Sequence, residues 1–124
     1  MISGNSSSRK TRTKKRAKSS QLEAQVLEQQ VRICKAFAHP TRLRMLDLLG
    51  EKERSVAELQ KLLAVSKANL SQHLAILKAV GIVATRREGR HIHCSLAIPV
   101  VKKACHLIRE VLRAQFLNKP TIGF

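Results

Sequence analysis

Residues 55–96 read SVAELQKLLAVSKANLSQHLAILKAVGIVATRREGRHIHCSL, and this stretch decides the fold. Ser55 followed by Glu58 is a capping box, which predicts that a short helix begins here. After a turn at residues 63–65, Ser66 is placed to cap a second helix whose leucines recur on one face. Two helices joined by so short a turn predict a helix-turn-helix unit.

A two-stranded hairpin is predicted directly behind this unit. Residues 82–87 and 90–96 alternate between apolar and polar side chains, and Glu88-Gly89 joins them. Glycine supplies the positive φ that such a turn needs. The alternation predicts that one set of side chains on the second strand faces the core: Ile92, Cys94 and Leu96. A helix-turn-helix followed by a basic hairpin fits duplex DNA.

Further helices are predicted on both sides of this stretch. Pro40 separates a first helix, which starts near Gln21, from a second one that we expect Gly50 to end as a left-handed cap. Pro99 is predicted to open the last helix. The apolar face of the first helix is Leu22, Val26, Ile33 and Phe37, and that of the last is Val100, Ala104, Leu107, Ile108, Val111 and Phe116. The fold class is therefore mainly α with a small β-hairpin wing, in the order α-α-α-α-β-β-α.

Composition and charge limit the function. The 124 residues include 24 Lys and Arg against 8 Asp and Glu, a formal net charge of +16 that points to nucleic acid as a partner. We predict a disordered basic N-terminal arm at 1–20, one domain at 21–116 and a loose tail at 117–124. The arm is open to two interpretations, a solubilising tail or a flexible segment that binds phosphates without reading sequence.

Compartment follows from what the sequence lacks. No apolar run is long enough to span a bilayer, and the N-terminus has no secretory h-region, so we expect a cytoplasmic protein with no membrane partner. Three cysteines make a disulfide framework improbable in that compartment. With no Trp or Tyr, the core has to be aliphatic.

The second helix of the unit carries the predicted base-reading surface. With Leu70, Leu74 and Leu77 facing inward, the opposite side holds small and polar residues, which let the backbone approach the major groove. Gln and Asn pair bidentately with adenine, and Lys67 suits a phosphate. His73 points closer to the leucine stripe and is predicted to be packed rather than to read a base. The predicted DNA-binding residues on this helix are Lys67, Ala68, Asn69, Ser71 and Gln72.

The hairpin tip carries the predicted backbone contacts. Arg86, Arg87 and Arg90 lie within five residues of each other, which suits phosphate or minor-groove binding. A solvated charged turn is the alternative interpretation. The preceding recognition helix favours the DNA contact.

The chain from about Ala36 to Phe116 resembles the ArsR family of winged helix-turn-helix repressors. The resemblance implies a homodimer built on the first and last helices, a palindromic double-stranded DNA operator, and repression relieved by an inducer. The apolar faces of the terminal helices agree with a dimer, because a domain of this size needs only one of them to close its core. The matching stretches are AFAHPTRLRMLDLL, SVAELQKLL, SKANLSQHLAILKAVGIV and RREGRHIHCSL.

A sensor site is harder to place. The family's known metal patterns have Cys-Val-Cys where this chain has Ser55, Val56 and Ala57, and ligands where it has Ile98 and Val100. We therefore predict no metal and no cofactor. The resemblance places two thiols, Cys34 and Cys105, on helices that pack at the dimer interface, where some family members sense reactive sulfur or oxidants. The alternative is that both are small buried apolar residues.

Other function classes fit less well. No nucleophile–base arrangement or glycine-rich phosphate loop is present, so we predict that the chain is not an enzyme. The scarcity of aromatic residues removes the stacking platforms of single-stranded RNA binders. The remaining alternative is a non-specific nucleic-acid-binding protein that acts through its basic arm.

Overall fold

The structure, a computed structural model, describes residues 3–118, with side chains from residue 11 onward. The chain divides between Lys35 and Ala36 into two compact units. A three-stranded antiparallel sheet has the order β1-β3-β2. The elements are α1 (Ser3–Phe37), α2 (Pro40–Glu51), β1 (Arg54–Ser55), α3 (Val56–Leu63), α4 (Lys67–Ala79), β2 (Val83–Glu88), β3 (His91–Leu96) and α5 (Val100–Asn118).

Helix α1 begins far earlier than the sequence predicted. Disorder was predicted for 1–20, whereas the structure is helical from Ser3 onward, and residues 1 and 2 lie outside the described part. The physical reason is local: residues 5–37 contain no Gly or Pro, and Lys, Arg, Gln and Ala are good helix formers. Residues 11–32 are all exposed, so this helix forms without burying the surface that the disorder argument required.

The second unit has the aliphatic core that the composition predicted. Leu70 and Leu77 of α4 are fully buried together with side chains of α2, α3 and β3. No Phe is among the buried residues of the described chain. The other fully buried large side chains are Met45, Leu46, Leu59 and Cys94.

The helix caps follow the sequence in α3 and α4. Ser55 Oγ accepts from the Glu58 backbone N–H at 3.1 Å, and Ser66 Oγ accepts from the Asn69 N–H at 3.1 Å. Between them, Ala64 takes the left-handed conformation with φ of 53° and turns the chain. Ser55 and Ser66 are thus confirmed as the N-caps of α3 and α4, whereas the Glu58 carboxylate pairs with Arg54.

The prediction that Gly50 ends α2 as a left-handed cap was wrong. Gly50 lies inside α2, which runs to Glu51, and Lys52 is the C-cap. The helix continues because the Leu48 carbonyl still accepts from the Lys52 N–H and nothing in the chain interrupts it at residue 50. A Cβ at Gly50 would lie 3.4 Å from the side chain of Lys102 on α5.

The sheet contains a strand that the sequence did not predict, and its second hairpin strand is less buried than expected. β1 pairs with β3 through Arg54 opposite Cys94 and Ser55 opposite His93. Cys94 is buried and Leu96 half-buried as predicted, but Ile92 is 40% exposed. It lies beyond the end of β1, toward the tip, where no third strand covers it.

Helix α5 places its predicted apolar face outward. Val101 and Cys105 are its buried residues, and Arg109 forms an ion pair with Asp47 of α2 at 2.5 Å. Helix α5 also includes residues 117–118 of the predicted loose tail; residues 119–124 lie outside the described part. No helix of residues 3–118 is both long and apolar enough to cross a membrane. The exposed apolar residues of α5 are Val100, Leu107, Ile108, Val111, Leu112, Phe116 and Leu117.

Candidate nucleic-acid interface

Helix α4 is held by one face and open on the other. Leu70, Leu74 and Leu77 are buried, as the 3.6-residue period predicted. The opposite face consists of small or uncharged polar residues, all of them exposed, so no large side chain holds its backbone away from a groove. This exposed face of α4 is Ala68, Asn69, Ser71, Gln72 and Ala75.

His73 is packed, as predicted, and links α4 to α2. The residue is 8% exposed, and its Nδ1 lies 3.1 Å from Arg42 Nη1, which can only donate. The ring centroid of His39 lies 4.4 Å away, and His39 Nδ1 itself caps α2 by accepting from the Thr41 N–H. Burial lowers the pKa of His73, and the nearby His39 and Arg42 lower it further, so the fold favours the neutral imidazole over the charged one.

Arg42 completes this attachment. Its Nε donates to the Ala36 carbonyl at 2.6 Å while its Nη1 reaches His73. One guanidinium therefore joins the residues before α2 to the buried side of α4. The orientation of the exposed face depends on these polar contacts as well as on the leucines.

The wing, which comprises β2, β3 and the Gly89-Arg90 turn, follows α4 directly. Glu88 pairs with His91, so the turn has two residues. Gly89 has φ of 62°, which matches the glycine that a type II′ turn requires at its first central position. This short turn projects Arg87 and Arg90 into solvent, where neither makes an ion pair with another described residue.

Arg86 differs from the other two arginines. Its Nη2 lies 2.6 Å from Glu53 and its Nη1 2.8 Å from Glu88. The hydrogen bond to Glu88 raises the pKa of Arg86, and the same contact lowers the pKa of Glu88. His93 lies 3.5 Å from Glu88 and 3.8 Å from Glu53, so a small charged network surrounds Arg86 on the wing.

The structure brings part of the predicted site together around one cavity. Lys67, the first residue of α4, and Arg90 of the wing line the same concave surface, together with residues of α3. Sequence reasoning missed three polar neighbours of this surface, Ser55, Gln60 and His91. His91 stands in the basic tip and could have been included, whereas Gln60 has no signal of its own in the sequence. Glu53, which holds Arg86, was also missed.

The two cysteines of the predicted thiol sensor fall in different units. Cys34 is exposed on α1, and Cys105 is buried on α5. Burial raises the pKa of the Cys105 thiol, and Asp47 raises it further, so this sulfur is held in its less reactive thiol form. Cys94 is buried in the core, and burial also raises its pKa. No cluster of three or more His, Cys, Asp or Glu side chains suited to a metal occurs within residues 11–118.

Comparisons with known proteins agree with this geometry. A family model described as a helix-turn-helix domain matches residues 37–86. The chain is 42% identical over 79 residues to the HTH-type transcriptional regulator Rv0081 of Mycobacterium tuberculosis, covering 63% of this chain and 69% of that one. It is 43% identical over 84 residues to the biofilm growth-associated repressor of Agrobacterium fabrum, covering 68% of each.

Solved structures show the same fold. The crystal structure of Rv0081 superposes with a TM-score of 0.69 at 36% identity, covering 78% of this chain and 97% of that one. A homodimeric winged helix-turn-helix DNA-binding domain from Mycobacterium bovis, described as a possible ArsR-family regulator, superposes with a TM-score of 0.68 at 30% identity, covering 82% and 93%. These relatives are named or described as transcriptional regulators. With its helix-turn-helix unit, its wing and these relatives, the chain belongs to the ArsR family of winged helix-turn-helix transcriptional regulators.

Proposed function

We propose that the protein is a sequence-specific regulator that binds double-stranded DNA in the cytoplasm and represses transcription until an inducer releases it. The observation that carries this proposal is the exposed face of α4, where Asn69 and Gln72 stand among small residues. A helix that is anchored by buried leucines and open on its opposite side is the arrangement that enters a major groove. Support for repression comes from the similarity to the Agrobacterium repressor.

A homodimer on a palindromic operator is part of the same proposal. The outward apolar stripe of α5 includes Leu107, Ile108 and Val111, each more than half exposed. A stripe of this kind on a single chain calls for a partner, and the similar M. bovis domain is a homodimer. Two-fold symmetry would place two α4 helices about 34–36 Å apart, one turn of DNA.

Individual residues receive separate roles. Gln72 and Asn69 would pair with adenine edges, while Ala68 and Ser71 would let the helix backbone come close. Lys67, Arg87 and Arg90 would bind phosphates, which fix register but carry no sequence information. Arg86 is also proposed to contact DNA, but its ion pairs with Glu53 and Glu88 support the narrower role of stabilising the conformation of the wing.

The test is selection of a bound duplex from a random-sequence library, followed by affinity measurements at one salt concentration. We expect Gln72→Ala to weaken binding of the selected duplex about 5- to 150-fold, the value of one bidentate base contact, and to change binding of random duplex little. Gln21→Ala, on an exposed residue of α1, is the matched control. Equal loss on both duplexes would show that Gln72 does not read a base. A reporter driven by the selected site gives the direction of regulation.

The alternative is non-specific nucleic-acid binding through the basic segment of α1. Residues 11–18 carry five exposed Lys and Arg side chains and no carboxylate, which favours binding to phosphates. Deleting residues 1–20 should weaken selected and random duplex alike and flatten the salt dependence of both. If selection yields no preferred sequence and the deletion abolishes all binding, this alternative replaces the main proposal.

A thiol-reactive inducer remains a separate hypothesis within this function. The exposed position of Cys34 supports its access to an oxidant, while the raised pKa of Cys105 argues against an activated thiolate there. Treatment with tetrasulfide should lower affinity for the selected duplex and produce a Cys34–Cys105 linkage by mass spectrometry. Unchanged affinity without that linkage would end the hypothesis.

A further inference from the structure

A cavity of about 230 Å³ lies between the wing tip, the start of α3 and the start of α4. It belongs entirely to the second unit of the chain. Its polar lining comes from four parts of the chain: β1, α3, α4 and the wing. The two cations come from the first residue of α4 and from the turn of the wing. The polar lining residues are Ser55, Gln60, Lys67, Arg90 and His91.

The chemistry of this lining suits an anion. Lys67 and Arg90 are cations, and Gln60, His91 and Ser55 can each donate a hydrogen bond. No carboxylate is among the residues that line the cavity, and Lys67 and Arg90 make no ion pair with any other described residue. The oxygens of a phosphate group can accept several hydrogen bonds at once. Proteins usually bind phosphate groups through a converging set of charge-assisted donors.

The contrast with Arg86 strengthens this reading. Both arginines belong to the wing, but Arg86 is held by Glu53 and Glu88, whereas Arg90 faces the cavity beside His91. The wing therefore has one arginine whose charge is matched within the protein and two, Arg87 and Arg90, whose charges are not; of these two, only Arg90 lines the cavity. An unmatched cation beside Lys67 leaves a local positive field that an anion would neutralise.

We infer that this cavity binds a single phosphate group of the DNA backbone in each half-site, an inference that rests on the proposed function. Lys67 is the first residue of α4, so a phosphate held here fixes the N-terminal end of the recognition helix. Because Arg90 and His91 contact the same group, that phosphate also fixes the wing relative to α4. The cavity thus sets the depth and register at which Gln72 meets its base.

The experiment replaces single phosphates of the selected duplex with neutral methylphosphonates, one position at a time. Wild-type protein should lose about tenfold in affinity at one position per half-site, the value of a charge-assisted hydrogen bond. For the variant with Lys67→Gln and Arg90→Gln, the same methylphosphonate should cost less than threefold, because the contact is already gone. Lys61→Gln on α3, an exposed lysine outside the cavity, should retain the full wild-type penalty.

Inorganic phosphate distinguishes the second source of the same chemistry. NMR signals of Gln60 and His91 are followed as sodium phosphate is added to DNA-free protein at constant ionic strength. The DNA-backbone assignment would be overturned if these NMR signals shift at low millimolar phosphate while the double variant has the wild-type affinity loss at every methylphosphonate position. The cavity would then be assigned to a free anion. A double variant whose methylphosphonate profile equals that of Lys61→Gln would also overturn the DNA-backbone assignment.

These outcomes are separable from failure of the proposed function. If selection yields no preferred duplex, the regulator proposal fails before the methylphosphonate scan begins. If a duplex is selected and Gln72→Ala weakens it while the cavity variants behave like the control, only the phosphate inference fails. Circular dichroism of each variant checks that the fold is intact.

Discussion

Among the polar side chains of the second unit, Arg54 is the one whose removal should lower the free energy of unfolding most. It is 8% exposed and joins three elements: Nε donates to the Leu48 carbonyl at 3.0 Å, Nη2 contacts Glu51 at 2.6 Å, and Nη1 contacts Glu58 at 3.3 Å. The end of α2, strand β1 and the first turn of α3 therefore meet at one guanidinium. The start of the helix-turn-helix unit depends on this junction.

The size of the effect follows from how buried each partner is. Glu51 and Glu58 have side chains that are 65% and 41% exposed, so each ion pair contributes about 0.5 kcal/mol and neither carboxylate is stranded without water when Arg54 is lost. The bond to the Leu48 carbonyl is shielded and is worth about 1.5 kcal/mol. Arg54→Met, which preserves most of the volume, should therefore lower the free energy of unfolding by about 2.5 kcal/mol.

Urea unfolding followed by circular dichroism at one fixed protein concentration measures this value, and a fixed concentration is needed because a dimer's stability depends on it. Arg44→Met is the matched control, since Arg44 is exposed and donates only to the Leu62 carbonyl at 3.4 Å. It should change the free energy of unfolding by less than about 0.5 kcal/mol. An Arg54→Met effect no larger than that of Arg44→Met would refute the reasoning that burial of the guanidinium gives its contacts their value.

Two further predictions concern pH and backbone conformation. The pKa of His73 is lower in the fold than its ordinary value of 6.5. As the pH drops below 6.5, the unfolded chain therefore binds a proton at this residue more readily than the folded chain does. The free energy of unfolding should fall as the pH drops from 7 to 5. His73→Asn should show a shallower fall in the same urea series, and an identical slope would contradict the assignment. Gly50→Ala should raise the free energy of unfolding by about 0.5–1 kcal/mol, because Gly50 is inside a helix and a new Cβ meets only the flexible Lys102 side chain. Gly89→Ala should lower the free energy of unfolding by about 1 kcal/mol, because φ at this residue is 62°. If both substitutions changed the free energy of unfolding in the same direction, this account would be contradicted.

The elements of the second unit could be predicted because their signals are local. Ser55 and Ser66 mark helix starts, and the leucine period of α4 separates its buried side from its open side within one helix. His73 was predicted to be packed from its angle to that stripe, and it is. A capping box or a turn glycine is satisfied within a few residues, so no knowledge of distant partners is needed to recognise it.

The errors arose where local and distant effects compete. Gly50 is of the residue type that often caps the C-terminal end of a helix, but α2 continues to Glu51, and Gly50 lies beside the Lys102 side chain. Residues 3–20 have the composition of a disordered arm, but good helix formers without an interruption extend α1 through them. Ile92 has the alternation of a core residue, but the third strand that covers Cys94 ends before it.

The sequence alone therefore determined the class of fold, the helix α4 with the side of it that is open, and the excess of positive charge. Only the tertiary structure decided how the charges are used: Arg86 is matched by Glu53 and Glu88, while Lys67 and Arg90 line one cavity with Gln60. The reason is that helical and strand periods act over a few residues, whereas the pairing of charges depends on which elements the packed core brings within a few ångströms of each other.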